Sequence, residues 1–408
     1  MSIHKFVLPN GIRVLVEPND TVRSATIGIA CRAGSSHETE TEGGITHFIE
    51  HMLFKGTPTR NAKQIAEAIE ERGGMLNAST DKEQTMYYCR VLNDDALLGV
   101  DVLTDMVCNS LIDSEEMERE QGVVLEEIKR MEDDPEGYVH DVHLETRWGH
   151  HPLGRPIIGT SESVSSFSRQ NLKDYIARRY RGENLILAVA GNVDPEQIHR
   201  AAQERLGGLP SGGDSPKLTR PESVVKRQEL RKEVEQVHFV LGGDSASIYD
   251  ESRVYAISVL DSILGGGMSS RLFQEIRERR GLAYSVGSYN SSYTAGGTFN
   301  IYGGTGLATW PQVQELITAE TSKLIHDGFL EGELEKAKRQ ISGAIVLRME
   351  GLPSRMARMT KNELFFGRDI PIDETLAKIQ AVTETQVRDE AAQIFAADRV
   401  GLTAFGPF

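Results

Sequence analysis

His47, Glu50 and His51 are the residues of this chain best placed to do chemistry. On a helix, positions i and i+4 lie on one face, one turn apart. Two imidazoles spaced in this way can close on a single zinc ion, with ring nitrogens at about 2.0–2.1 Å. Glu50 falls one turn after His47 and beside His51, within reach of a proton on a water held at such a site. The order HxxEH is the inverse of the commoner HExxH zinc-hydrolase helix. Phe48, Ile49, Met52, Leu53 and Phe54 surround the triplet, so the helix is largely apolar. Gly43 and Gly44 precede it, and Gly56-Thr57-Pro58 ends it, because the residue before a proline is pushed out of the helical region. Polar groups inside an apolar helix cost free energy unless something satisfies them. A metal ion would.

A catalytic zinc site needs a third protein ligand and leaves a fourth position for water. The acidic run from 114 to 132 reads as a helix capped by Asp113 or Ser114. Met117, Val124, Ile128 and Met131 mark its apolar side, and Glu120 and Glu127, seven residues apart, border that side. Carboxylates there are candidates to face inward. Spacing alone does not separate Glu126 from Glu127.

The run from Gly44 to Thr57 resembles the signature of the pitrilysin/insulinase-type zinc peptidases, the inverzincins, whose members include the mitochondrial processing peptidase, its beta subunit in particular, and small bacterial homologues. The resemblance implies a zinc ligand seventy-six residues beyond the second histidine, at Glu127, and a supporting glutamate seven residues before it, at Glu120. Asn77-Ala78-Ser79-Thr80, Tyr87-Tyr88 and the stretch from His151 to Thr160 extend the match over residues 1 to about 205. In the second half, the segment from Arg271 to Tyr284 is similar to a family element in which an arginine and a tyrosine, here Arg277 and Tyr284, reach the substrate. Their side chains supply donors for a peptide carbonyl or a developing oxyanion. What the resemblance implies is a zinc endopeptidase: His47, His51 and Glu127 hold one Zn2+, and Glu50 acts as general base with Glu120 in support. Asn77, Ala78, Ser79 and Thr80 would form an edge strand on which an unstructured or presequence-like peptide adds as a further strand. Family members without the metal residues act as non-catalytic peptide-binding or scaffold subunits, and an HxxEH helix can also serve a hydrolase of small molecules. The intact inner residues and the peptide-binding segments favour the peptidase.

Composition agrees with a globular enzyme. The chain has 408 residues, 39% of them apolar, enough for two or three domains. No stretch approaches the roughly 18 uninterrupted apolar residues of a membrane span. Neither a secretory signal nor a transit segment is expected before the first strand. Cys31, Cys89 and Cys108 are few, odd in number and without a CxxC pair, which suggests reduced packing residues in a cytoplasmic protein. A net charge of −15 disfavours nucleic acid or an anionic membrane as partner. His140 and His143, with His150 and His151, make a second histidine-rich region, but no carboxylate or thiolate set converges there. Gly265-Gly266-Gly267 lacks the Lys-Ser/Thr of a phosphate-binding loop.

The elements expected to position these residues alternate. Asn10-Gly11 reads as a hairpin turn between strands Lys5–Leu8 and Ile12–Glu17, followed by strands Ala25–Arg32 and Thr85–Val91. Helices are expected near 46–55, 61–72, 94–110, 114–132, 135–147, 170–179 and 195–205. Ile69 to Gly74 and Ile276 to Gly281 each open a β-rich stretch, about half a chain apart, as in two copies of one plan. The breaker-rich stretch from Gly207 to Pro216 separates them. The fold expected is α+β: a catalytic domain at 1–206, a linker at 207–225 and a related domain at 226–408, each a mainly antiparallel sheet carrying helices on one face. In the family such units pair into a hollow clamshell. A chain of half-shell size therefore implies a homodimer, or a heterodimer with a related subunit, enclosing a chamber.

Overall fold

The computed structural model describes residues 3–213 and 217–408. Met1 and Ser2 lie outside the described residues, as do Asp214, Ser215 and Pro216 of the expected linker. The first half of the chain runs β1 (His4–Val7), β2 (Arg13–Pro18), β3 (Ser24–Cys31), α1 (Ile45–Leu53), α2 (Ala62–Glu70), β4 (Met75–Thr80), β5 (Thr85–Leu92) and α3 (Ala96–Asn109). It continues with α4 (Ser114–Asp133), α5 (Pro135–Trp148), α6 (Ser161–Ser166), α7 (Arg169–Arg179), β6 (Leu185–Gly191) and α8 (Pro195–Leu206). The second half supplies β7 (Arg227–Arg231), β8 (Val237–Ser245), β9 (Ala283–Ser292), β10 (Gly297–Thr305) and β11 (Gly401–Gly406), with helices between them.

Two compact units result, each with one sheet. The first comprises Met1–Lys129, Pro156–Pro216 and Arg348–Asp369. The second comprises Arg130–Arg155, Lys217–Leu347 and Ile370–Phe408. Each unit thus takes one helical segment from the other half of the sequence.

The first sheet has the order β1-β2-β6-β3-β5-β4, antiparallel throughout except between β2 and β6. Its opening hairpin turns where Gly11, at φ +93°, lets Leu8 and Ile12 bond across the turn. On one face lie α3 and α8. The other is covered by the helix Leu352–Phe366, whose Leu352, Met356, Met359 and Leu364 pack on Leu15, Ala30, Met86, Ile186 and Ala188. β6 is therefore buried along its whole length. That explains its sequence, Leu185-Ile186-Leu187-Ala188-Val189-Ala190-Gly191, which is continuously apolar rather than alternating. β4 is the last strand at the α1 side of the sheet and, among the described residues, pairs with β5 alone, from Met75↔Arg90 to Thr80↔Thr85.

The second sheet repeats the plan, with order β7-β11-β8-β10-β9 and only β7–β11 parallel. Here α5 packs on β8 and β11, burying Val139 against Val240 and Phe405. A larger core joins Phe239, Phe299 and Ile301 of the strands to Ile257, Leu260 and Leu264 of the helix Glu251–Leu264. As in the first unit, a helical turn and a glycine, Gly281 at φ +62°, lead into a hairpin, β9–β10, whose first strand forms the sheet edge.

If the late helix is integral to the first core, Met356→Ala, at a residue only 2% exposed, should destabilise that unit by about 2–5 kcal/mol. The urea midpoint measures this; a loss under about 1 kcal/mol would mark the helix as peripheral.

Candidate metal centre

α1 is held from both ends. Gly44 precedes it at φ +88°, and a Cβ there would lie 2.4 Å from the carbonyl oxygen of Ile158. Neither the backbone conformation nor the space admits a side chain. The buried carboxylate of Glu38 accepts the amides of Gly44 and Thr46, both at 2.9 Å, and so satisfies donors that a helix start leaves open. Thr46 Oγ1 lies 2.8 Å from the Tyr175 hydroxyl on α7. The segment leaving the helix is tied to α3, where Asp105 accepts Thr57 Oγ1 at 2.7 Å, Thr59 Oγ1 at 2.6 Å and Arg60 at 3.0 Å. Between these anchors Ile45, Phe48, Ile49, Met52 and Leu53 are buried. With that face committed to the core, His47, Glu50 and His51 share the half-buried face.

α4 brings carboxylates to this face. Asp113 caps it, accepting the amides of Glu115 and Glu116 at 2.9 and 3.1 Å. Met117, Glu120, Val124 and Ile128 are its buried side. Glu120 Oε1 accepts a hydrogen bond from His51 Nδ1 at 2.8 Å, and Glu120 Oε2 pairs with Lys55 Nζ at 2.5 Å. Two turns on, Glu127 Oε2 stands 3.8 Å from His51 Nε2. Glu126 turns away to an exposed pair with Lys129. The ligand atoms of His47, His51 and Glu127 all lie within 4.8 Å of one another. The geometry thus groups Glu127 and not Glu126 with the histidines.

This set fits a metal ion. Tetrahedral ligands at about 2.0–2.2 Å from zinc lie roughly 3.4 Å apart, a small contraction of the present spacing. Two imidazoles and one carboxylate are a donor set that suits zinc. His47 Nδ1 is buried without a hydrogen-bond partner. Burial, and then His51, push the His47 imidazole down to about 4, so it stays neutral with a lone pair to offer. For His51, burial opposes the charged form, but the hydrogen bond to Glu120 and the surrounding carboxylates outweigh it and raise its pKa. Burial would likewise raise Glu120, yet its bonds to His51 and Lys55 hold it below the usual carboxylate range.

Glu50 is held by a residue from the neighbouring strand: Thr80 Oγ1, at the end of β4, donates to Glu50 Oε2. Burial raises the Glu50 carboxyl above its ordinary range, Thr80 and His51 pull against the rise, and Glu127 adds to it. The structure thus brings His47, Glu50, His51, Glu120, Glu127 and Thr80 together, with Asn77, Ala78 and Ser79 following along the same edge strand. Arg277 and Tyr284 belong to the second unit. There the Arg277 guanidinium stacks on the rings of Phe273, at 4.7 Å, and Tyr284, at 4.9 Å, and Tyr284 is 79% exposed. Of the other histidines, His140 bonds to the Tyr289 hydroxyl at 2.7 Å and His143 approaches Thr403 at 3.3 Å, both as packing partners. Glu38, Lys55 and the Thr80–Glu50 bond were missed by sequence reasoning. The one available signal was a carboxylate shortly upstream of a glycine-started helix.

The family described as Insulinase (Peptidase family M16) matches residues 13–161, and the one described as Peptidase M16 inactive domain matches residues 166–341. The chain belongs to the M16 family of peptidases. All the grouped metal-centre residues fall within the first matched segment. Among M16 relatives, the chain is 41% identical to the uncharacterized zinc protease YmxG of Bacillus subtilis, over 97% of this chain and 96% of that protein. It is 39% identical to the uncharacterized zinc protease SCO5738 of Streptomyces coelicolor, over 100% and 90%. Two crystal structures share the fold at 20% identity: a peptidase M16 inactive domain from Pseudomonas fluorescens (TM-score 0.90, 100% of this chain and 98% of that one) and a protease from Helicobacter pylori (0.91, 100% and 99%). No helix among the described residues is long and apolar enough to cross a membrane.

The turn that carries Glu38 also buries His37, whose Nδ1 accepts the Gly34 amide at 3.2 Å. Burial first, then Arg179 and Arg32, push His37 down to about 4. The unfolded chain, with histidine near 6.5, binds this proton first as pH falls. The stabilisation is therefore complete above about pH 6.5 and is lost progressively toward pH 4. In metal-free protein the urea midpoint should fall across this window, and less steeply in His37→Gln. Equal slopes in the two proteins would show that His37 is not the group responsible.

Proposed function

We propose that this chain is a zinc-dependent endopeptidase that hydrolyses extended, unstructured peptides, presequence-like segments among them. One observation carries the reading: His47, His51 and Glu127 converge, and Glu50 is fixed beside them by Thr80. His47, His51 and Glu127 are the residues to hold zinc. When bound there, zinc would supply Lewis acidity at the scissile carbonyl and bring the pKa of a water near neutral.

The remaining work falls to the protein. Thr80 occupies Glu50 Oε2, which leaves Oε1 to accept a proton from the attacking water and return it to the leaving amine. The raised pKa of Glu50 suits both halves of that transfer. Glu120 accepts the hydrogen bond of His51 Nδ1–H, which fixes the tautomer and turns Nε2 toward Glu127. β4 ends at Thr80, so a peptide adding beside Asn77, Ala78, Ser79 and Thr80 is led along the edge strand to the base. Pairing of that kind reads backbone more than side chains, which favours unfolded segments. Arg277 and Tyr284 offer further donors to peptide carbonyls. We propose a homodimer as the working assembly, a heterodimer with a related subunit being the second arrangement, with the chain acting in the cytoplasm.

Glu50→Gln should keep about one zinc per chain while kcat on a pool of unstructured peptides falls at least about 100-fold. Thr80→Val should lower kcat roughly 10-fold with little change in KM, as expected for the loss of one hydrogen bond to a charged group. Metal analysis together with peptide turnover reads both. A wild-type chain that binds no metal, or a Glu50→Gln variant that cleaves normally, would overturn the proposal.

A further inference from the structure

Lys55 lies just past the end of α1, one helical turn beyond His51, where its amide still bonds to the Met52 carbonyl at 3.1 Å. A lysine at a helix end usually extends into water. This one turns inward, with its side chain 28% exposed, and places Nζ 2.5 Å from Glu120 Oε2. The Glu120 side chain is only 6% exposed, and its other oxygen receives His51 Nδ1 at 2.8 Å. The two oxygens of one buried carboxylate are thus divided between an imidazole and an ammonium.

That division has a chemical consequence. A neutral imidazole alone is a weak partner for a buried carboxylate, which would remain a largely uncompensated charge. It would be free to turn toward water. That change releases His51 Nδ1 from its role as donor, and with it the constraint that leaves the lone pair on Nε2, the atom facing Glu127. The ammonium of Lys55 locks the rotation of Glu120 by holding its far oxygen. It also ties the end of α1 to α4 two turns before Glu127, so the third ligand is kept in register with the first two.

We propose that Lys55 is a positioning residue for the metal centre, acting through Glu120 on His51 and on the α1–α4 register. The inference rests on the zinc reading above. Its test is zinc affinity, measured by competition with a chromophoric chelator on the full chain. The proteins compared are wild type, Lys55→Met, Lys55→Arg, Glu120→Gln and the Lys55→Met/Glu120→Gln double variant. Loss of an outer partner of a metal ligand typically weakens binding about 10–100-fold, and Lys55→Met should fall in that range. Lys55→Arg, which restores the cation, should recover most of the loss. Because Lys55 acts only through Glu120, the double variant should bind no more weakly than Glu120→Gln alone. Thermal unfolding of the metal-free proteins identifies any variant that fails to fold, in which case Lys55→Gln replaces Lys55→Met. Wild-type affinity in Lys55→Met, or losses that multiply in the double variant, would overturn the positioning role while leaving the zinc site intact. Failure of the wild type itself to bind zinc would overturn the zinc reading and this inference together.

Discussion

A short helix with two imidazoles and a carboxylate on one face, and core on the other, is unfavourable unless its polar groups are met from outside. The first unit is organised around that constraint. Burial of Ile45, Phe48, Ile49, Met52 and Leu53 fixes the helix and makes the constraint acute. Glu38 satisfies its first amides, Glu120 accepts from His51, and Thr80 donates to Glu50. The atoms still turned toward one another are those of His47, His51 and Glu127. Such a cluster suits a cation, since a metal satisfies several donors at once where hydrogen bonds satisfy them singly.

The two units answer different needs with one plan. In each, a helical segment ends at a glycine in the left-handed region, Gly73 or Gly281, and a hairpin follows whose first strand forms the sheet edge. In the first unit the edge strand ends at Glu50, through Thr80. In the corresponding region of the second unit there is no metal-capable cluster among the described residues, and a stacked arginine and tyrosine stand at the hairpin entrance instead. One scaffold therefore presents a backbone edge twice, once beside the Glu50 carboxylate and once beside a stacked arginine and tyrosine.

Much of this was legible in the sequence, for identifiable reasons. The helices near 61–72 and 114–132 start at capping residues, Asn61 and Asp113, and the apolar helix near 46–55 is bounded by glycines and a proline; they form as Ala62–Glu70, Ser114–Asp133 and Ile45–Leu53. Spacing placed His47, Glu50 and His51 on one face, but the choice of Glu127 over Glu126 came from resemblance, because a single-residue step on a helix is decided by which side packs. β6 escaped because a short, wholly apolar run has no period to separate strand from helix. The helix Leu352–Phe366 shows an apolar side in sequence, yet nothing in that pattern says which sheet receives it. Lys55 and Glu120 are sixty-five residues apart, so their pairing exists only once α1 and α4 are packed.

The exchange of helices between the units also bears on how the chain is made. Residues up to Pro216 include all six strands of the first sheet, but the helix that seals one of its faces begins at Leu352. At synthesis rates of about 5–20 residues per second, the intervening stretch takes roughly 7–30 s to emerge. Throughout that interval the apolar surface around Leu15, Ala30, Ile186 and Ala188 lacks its cover on the ribosome-bound chain. Such a surface is a natural point of engagement for holding chaperones, and it makes the segment Leu352–Phe366 decisive for a part of the molecule written well before it.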